Sequence, residues 1–182
     1  MFGESFFSIL KIKDHQLNKK SILTEISKLN RPFFTKDSSV NYNSFISNTN
    51  WDLPDFNLNP NWLEFSLSHR DKIKLTNFVK RKYKSKNIAL ANSWFNQYYP
   101  NSGSDHPFHD HGDTQVVCVY YVELKNISLR TVLINPKTNK EVIPKVNEGD
   151  LLIFGGNIKH KSPRNFEDTR KTVITFNFDL FE

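Results

Sequence analysis

The chain predicts a mainly β fold braced by N-terminal helices, an α+β arrangement of the helix-supported jelly-roll kind. From residue 88 onward, short apolar or alternating runs (88–98, 116–124, 129–134, 141–146, 150–154 and 171–180) are separated by clusters of Pro, Gly, Asn and Asp. Six or more short strands at that spacing argue for a sandwich, jelly roll or barrel. Before residue 88 the apolar residues recur with a helical period instead. Aromatic residues make up 14% of the 182 positions, with 16 Phe, which is ample material for a core. A chain of this length buries about 70% of its extended-chain surface as one domain. The expected organisation is a single domain over 1–182, with helical support and a connector in 1–87 and the β core in 88–182.

Taken in order, Phe6 to Ile12 reads as a strand. Leu17, Ile22, Leu23, Ile26 and Leu29 recur near a 3.6-residue period, so Gln16 to Leu29 is predicted helical, with Asp14 placed to cap it. Residues 35–61 are rich in Ser, Asn and Asp and broken by Pro54 and Pro60, the composition of an irregular connector. Trp62 to Tyr83 is a second helical stretch, with Leu63, Leu67, Leu75, Phe78 and Val79 inward and a break expected in the polar stretch Ser66 to Asp71. Its basic end, Lys80 to Lys86, is the densest part of a chain of net charge +6. Two readings stand for it: a contact for nucleic acid or another acidic partner, or a solvated helix C-terminus, which cations favour through the dipole and which the lack of any nucleic-acid-binding motif beside the run supports.

No apolar stretch approaches the length of a membrane span, and Met1-Phe2-Gly3-Glu4-Ser5 lacks the basic-then-apolar layout of a signal peptide. The one cysteine, Cys118, lies in an apolar run and reads as a buried thiol in a reducing compartment. These features point to a cytoplasmic protein with no membrane partner.

Three of the six histidines fall in Ser104-Asp105-His106-Pro107-Phe108-His109-Asp110-His111-Gly112-Asp113, and His160 follows the apolar run Leu151 to Phe154. Residues at i and i+2 of a strand share a face, so two such side chains can converge on one ion that a third ligand then closes. A non-haem Fe(II) site uses a facial triad, usually two His and one carboxylate, with positions left open. Two registers compete: His111-Gly112-Asp113 gives a His-x-Asp pair, and His109-Asp110-His111 gives an all-nitrogen set with His160. Ligand chemistry favours Asp113, whereas the nearness of the strand at Val116 favours His109. His106 reads as a loop residue or an outer partner, and His15 and His69 as solvated. Downstream, Arg170 opens the strand-like run Lys171 to Phe178. An arginine pointing inward from a strand calls for an anion, and its planar fork suits a carboxylate.

Several motifs together resemble the Fe(II)- and 2-oxoglutarate-dependent oxygenases. They are the His-x-His/Asp element, Val-Cys-Val-Tyr-Tyr-Val at 117–122, Glu-Gly-Asp-Leu-Leu-Ile-Phe at 148–154, His160, and Arg170 leading to Phe176-Asn177. Within that superfamily the chain is most similar to prolyl-hydroxylase-like oxygenases common in phages and marine bacteria, with which it also shares Trp94-x-Asn96. The likeness spans residues 88–180. It implies a double-stranded β-helix with Fe(II) at one mouth, held by His111, His160 and either His109 or Asp113. It also implies 2-oxoglutarate anchored by Arg170 with Tyr121 and Thr172 assisting, and O2 as oxidant. Where those relatives carry Ser-Gly before the tyrosines, this chain has Val117-Cys118. A phage origin would make the compartment the host cytoplasm.

The implied reaction is hydroxylation of an unactivated C–H bond, first of a protein side chain of prolyl type, then of a nucleobase or a small metabolite. Two other readings are a cupin-type metalloenzyme that uses no 2-oxoglutarate and a non-catalytic β-sandwich interaction protein of a phage. A buried anion anchor separates the first from the oxygenase, and stoichiometric metal separates the second. The oligomeric state is not encoded in any feature of the sequence.

Overall fold

A computed structural model describes residues 5–29, 33–34, 45–51 and 61–182. Among these, the strands are β1 (Phe7–Lys11), β2 (Phe33–Phe34), β3 (Phe45–Ile46), β4 (Asn48–Thr49), β5 (Asn87–Tyr98), β6 (His106–His109), β7 (Val116–Leu124), β8 (Val132–Ile134), β9 (Glu141–Val142), β10 (Asp150–Gly155), β11 (His160–Ser162) and β12 (Lys171–Phe181). The helices are α1 (His15–Ser27), α2 (Trp62–Ser66) and α3 (His69–Tyr83). A six-stranded sheet of order β1-β10-β7-β12-β5-β4 faces a four-stranded sheet of order β6-β11-β8-β9, the two antiparallel sheets of a double-stranded β-helix. The expected connector falls largely outside the described residues.

Side-chain alternation along the strands builds two cores from one sheet. On β7, Val116, Cys118, Tyr120 and Val122 pack with Ile22 and Ile26 of α1, Trp62 of α2 and Leu75 and Val79 of α3. The intervening Val117, Val119 and Tyr121 pack with Phe154, Val173 and Leu133 between the two sheets. The six-stranded sheet is therefore covered on both faces, which is why β7 reads as a nearly unbroken apolar run. Cys118 is fully buried in the helix-facing core, and burial pushes its thiol pKa up, as expected of an inert sulfur.

The break in the second helical stretch falls at Leu67. Ser68 then caps α3 by accepting from the Asp71 backbone N–H. Asp14 stands at the N-cap of α1 without capping it through its side chain, which instead accepts from Arg70. His15 also departs from expectation: it is buried, its Nδ1 2.7 Å from the Tyr120 hydroxyl. The turn before β10 makes room for it, because Gly149 has a φ of +85° and a Cβ there would stand 3.1 Å from the imidazole. His69 is exposed, and Lys80, Arg81 and Lys82 occupy the last turn of α3. Among the described residues, no helix is long and apolar enough to cross a membrane.

Candidate metal centre

Three histidines converge between the sheets. His109 ends β6 and His160 begins β11, and the two residues are direct cross-strand partners, so their side chains leave the same face. His111 lies two residues beyond His109, in the loop before β7. One ring nitrogen from each of His109, His111 and His160 falls within 4.8 Å of the others, the only such grouping of potential ligands among the described residues.

The loop bearing His111 is fixed by backbone contacts. The His111 N–H donates to the Gly156 carbonyl and the Gly156 N–H donates to the Gln115 carbonyl. The approach is close enough that a Cβ on Gly156 would lie 1.8 Å from the Thr114 carbonyl oxygen. Glycine is required there by space rather than by backbone angle.

Each imidazole is oriented by a carbonyl-type acceptor on Nδ1: the Pro107 carbonyl at 2.8 Å for His109, the Ile158 carbonyl at 3.0 Å for His160, and Asn177 Oδ1 at 3.0 Å for His111. With Nδ1 as the donor, the lone pair stays on Nε2, the arrangement of a preset metal ligand. Burial holds all three rings neutral: His109 is pushed down to about 4, His160 lies well below its usual range, and His111 is lowered too. The neighbouring imidazoles add to the depression at His109 and His160, while His111 is partly held up by Asn177 and Asp110. Three neutral nitrogen donors suit a divalent first-row metal ion such as iron, zinc or nickel. The site can therefore bind metal near neutral pH without first shedding protons.

Of the two registers open in the sequence, the structure brings together the all-nitrogen one. Asp113 is exposed in the tight turn before β7 and lies outside the cluster. His106, expected in a loop, belongs to β6. A bulge opposite His160 and Ser162 puts His106 level with Ser162, so the two β6 histidines, three residues apart, face the same cavity. Their rings stack 3.7 Å apart. Pro107 between them is tolerated because β6 is the edge of its sheet.

The buried basic residue at the cavity is Lys171, not Arg170; Lys161, which also lines it, is more exposed and paired with Glu141. Arg170 precedes β12, and its guanidinium forms a two-point contact with Glu123, at 2.7 and 3.0 Å. Thr172 donates to the same carboxylate, so the pair expected to hold an anion is occupied with one from the protein itself. Lys171, one residue on, points to the opposite face of the strand and lines the cavity with the histidines. It is 1% exposed, and its Nζ donates to Ser162 Oγ at 2.8 Å. The ammonium also lies 5.1 Å from the Tyr98 ring centroid and 5.9 Å from that of Tyr121. Among the described residues it forms no ion pair, and burial lowers its pKa to about 7. Tyr121 reaches Thr131 Oγ1 at 2.7 Å, and its ring flanks the lysine. The strand pattern does carry the signal: Ile174, Phe176 and Phe178 share the helix-facing core, and counting back by twos puts Thr172 and Arg170 on that face.

No protein-family model and no curated protein matches this sequence. The fold, by contrast, has many solved counterparts. A prolyl-4-hydroxylase from Pseudomonas putida superposes with a TM-score of 0.64 at 12% identity, over 98% of this chain and 95% of that one. The viral collagen prolyl hydroxylase of Paramecium Bursaria Chlorella virus-1, solved as a 2OG complex, gives a TM-score of 0.57 at 12% identity over 98% of each chain. Iron-bound EctD from S. alaskensis gives a TM-score of 0.68 at 10% identity, over 98% of this chain and 74% of that one. At these identities the likeness is one of fold: the chain has the double-stranded β-helix of the 2-oxoglutarate-dependent oxygenases.

Proposed function

We propose that the protein is an Fe(II)- and 2-oxoglutarate-dependent dioxygenase that hydroxylates an unactivated C–H bond, of a protein side chain of prolyl type. The observation that carries this reading is Lys171. A buried ammonium without a carboxylate partner is costly to keep, and it shares one small cavity with three neutral imidazoles aimed at a common point. A co-substrate that offers a chelating end to a metal and a carboxylate to a cation answers both features. A cupin-type metalloenzyme would also suit three nitrogen donors, but it leaves the buried lysine unexplained.

In this reading His109, His111 and His160 hold the metal, each fixed by its Nδ1 hydrogen bond. Lys171 receives the far carboxylate of 2-oxoglutarate in place of its present neutral partner, Ser162. Tyr98 and Tyr121 flank the ammonium, and Val119 and Val173 give the cavity apolar walls that limit water. The cavity is about 30 Å³, room for little more than an ion and a solvent molecule, so the Lys171–Ser162 contact must open to admit a five-carbon diacid. When bound, Fe(II) with 2-oxoglutarate and O2 supplies an oxidative decarboxylation to succinate and CO2 coupled to hydroxylation of the substrate. The prolyl assignment draws support from the prolyl hydroxylases among the solved proteins of the same fold.

The test is an anaerobic titration with Fe(II) and then 2-oxoglutarate, followed by the visible charge-transfer band of a chelated keto acid. The band is expected at one equivalent, abolished in Lys171→Ala and retained in Arg170→Ala. Iron binding without a band would favour the cupin reading. No iron binding at all would make the histidines structural.

A further inference from the structure

We propose that the exposed face of α3, with the turn that follows β1, binds the phosphate backbone of a nucleic-acid duplex without reading its sequence. The proposal goes beyond the oxygenase reading and does not depend on it. The stretch from His69 to Lys86 holds eight lysines and arginines against one acid, Asp71, a net +7 in a chain whose whole charge is +6. One helix and the turn after it therefore carry all of the excess positive charge, and the remainder of the chain is at −1. Asp71 does not dilute the face, because it is fully buried and accepts from the backbone N–H groups of Lys13 and Asp14. Successive helical residues are about 100° apart, which puts Arg70, Lys74, Asn77, Lys80, Arg81 and Lys84 within about 120° of arc. Lys74 donates to the Lys11 carbonyl at 3.1 Å, which brings the exposed Lys11 and Lys13 alongside. Arg70 pairs with Asp14, whereas Lys74, Lys80, Arg81 and Lys84 form no ion pair among the described residues. The helix dipole accounts for the cations of the last turn but not for Arg70 and Lys74, which stand in the first half. Like charges one turn apart, as at Arg70 and Lys74 or Lys80 and Lys84, destabilise a helix, a cost that a bound polyanion offsets.

The composition of the face selects the polyanion. Ile73 is the exposed large apolar residue on the arc, and no Phe, Tyr or Trp shares it. An acidic protein would find no aromatic anchor of the kind that interfaces bury, and a bilayer no apolar side to insert. The missing aromatics also argue against single strands, whose bases stack on such rings. What remains is a row of point charges with one amide, which suits the regular phosphates of a duplex, DNA or RNA. The helical layer covers the side of the six-stranded sheet turned away from His109, His111 and His160. This surface therefore does not present a base to the metal centre. It holds the protein on a nucleic-acid polymer and leaves the cavity free.

The experiment titrates the full chain against labelled DNA and RNA duplexes of two unrelated sequences, read by fluorescence anisotropy. Unlabelled duplex, the matching single strand, polyglutamate and phosphatidylglycerol vesicles serve as competitors. The two sequences are expected to bind alike, with affinity falling about a hundredfold between about 50 and about 200 mM salt, the dependence of about four phosphate contacts. Arg81→Gln should lower the slope of log affinity against log salt by about one, and the triple variant Lys80→Gln/Arg81→Gln/Lys84→Gln by about three. Lys137→Gln/Lys140→Gln, exposed positions between β8 and β9 of the four-stranded sheet, should change nothing. Circular dichroism checks that the triple variant folds, and its melt should come no lower than that of the wild type. A stronger DNA or a stronger RNA arm identifies which duplex supplies the backbone. Four results would each overturn the proposal: no binding at about 50 mM salt, an equal loss in the Lys137/Lys140 variant, stronger competition by the single strand, polyglutamate or vesicles than by unlabelled duplex, or displacement of the duplex by 2-oxoglutarate with Zn(II). Neither metal nor 2-oxoglutarate takes part in the binding, so failure of the oxygenase reading would leave this proposal standing.

Discussion

At the scale of single residues, the position of Lys171 has consequences for pH. Burial alone lowers its pKa from an ordinary lysine value to about 7. Below pH 7 the folded protein holds a buried charge, whereas the unfolded chain keeps its lysine protonated up to the ordinary value. The stability tied to this group is therefore fully present only above the unfolded pKa, and it is lost as pH falls toward 7. Lys171→Met should raise the Tm of the metal-free protein, by more at pH 6 than at pH 9, and should abolish 2-oxoglutarate binding at both. In the wild type, 2-oxoglutarate affinity should weaken as pH rises through 7, by up to about tenfold per unit, since the anchor must carry its proton to meet a carboxylate. Calorimetry at a series of pH values checks this, and a flat profile would contradict it. The histidines were legible in the sequence because ligand chemistry leaves a spacing pattern. The lysine proposed as anchor was passed over although the alternation along β12 carries it: Arg170 and Lys171 are adjacent cations, and a one-residue step along a strand exchanges the cavity for the helix-facing side.

At the scale of elements, the site depends on two short polar pieces that no hydrophobic periodicity announces. β6 and β11 have few core residues, and they are strands because the edge of the four-stranded sheet pairs them. The long strands β5, β7, β10 and β12 and helices α1 and α3 follow the sequence pattern closely, since buried faces impose the period of their structure. The loop between β6 and β7 is placed from outside by Gly156. Gly156→Ala would drive a methyl group into the Thr114 carbonyl and within 2.9 Å of the His111 carbonyl, both backbone atoms that cannot turn aside. The loop must shift, and His111 with it. Metal affinity should fall by about tenfold or more, in the range seen when a group supporting a ligand is lost, with secondary structure retained by circular dichroism. Asp113→Asn, in the same loop but outside the cluster, should leave metal affinity intact. A loss there as large as in His109→Ala would restore the carboxylate-containing register.

At the scale of the whole molecule, the candidate site and the helical layer lie on opposite sides of the six-stranded sheet. His109 and His160 come from the four-stranded sheet, while His111 is tied to Asn177 of the six-stranded one. A bound metal thus joins the two sheets, and Lys171 and Ser162 meet across the same gap. The helices instead support the far face through Ile22, Ile26, Leu75 and Val79. Such a layout separates support from chemistry, and it predicts that the two contribute independently. A ligand that binds only the folded state adds about 4 kcal/mol at a free concentration a thousandfold above its Kd, or about 10 °C in Tm for a domain of this size. Ile22→Ala empties a fully buried site and should cost about 2–5 kcal/mol. The increment that Zn(II) adds to Tm should be nearly the same in wild type and Ile22→Ala, because the two sites share no partners. It should vanish in His160→Ala. Thermal melts across a Zn(II) series measure all three. A Zn(II) increment that shrinks in Ile22→Ala would mean that the helical layer helps to shape the metal site, and that the sheet between them transmits strain rather than insulating one face from the other.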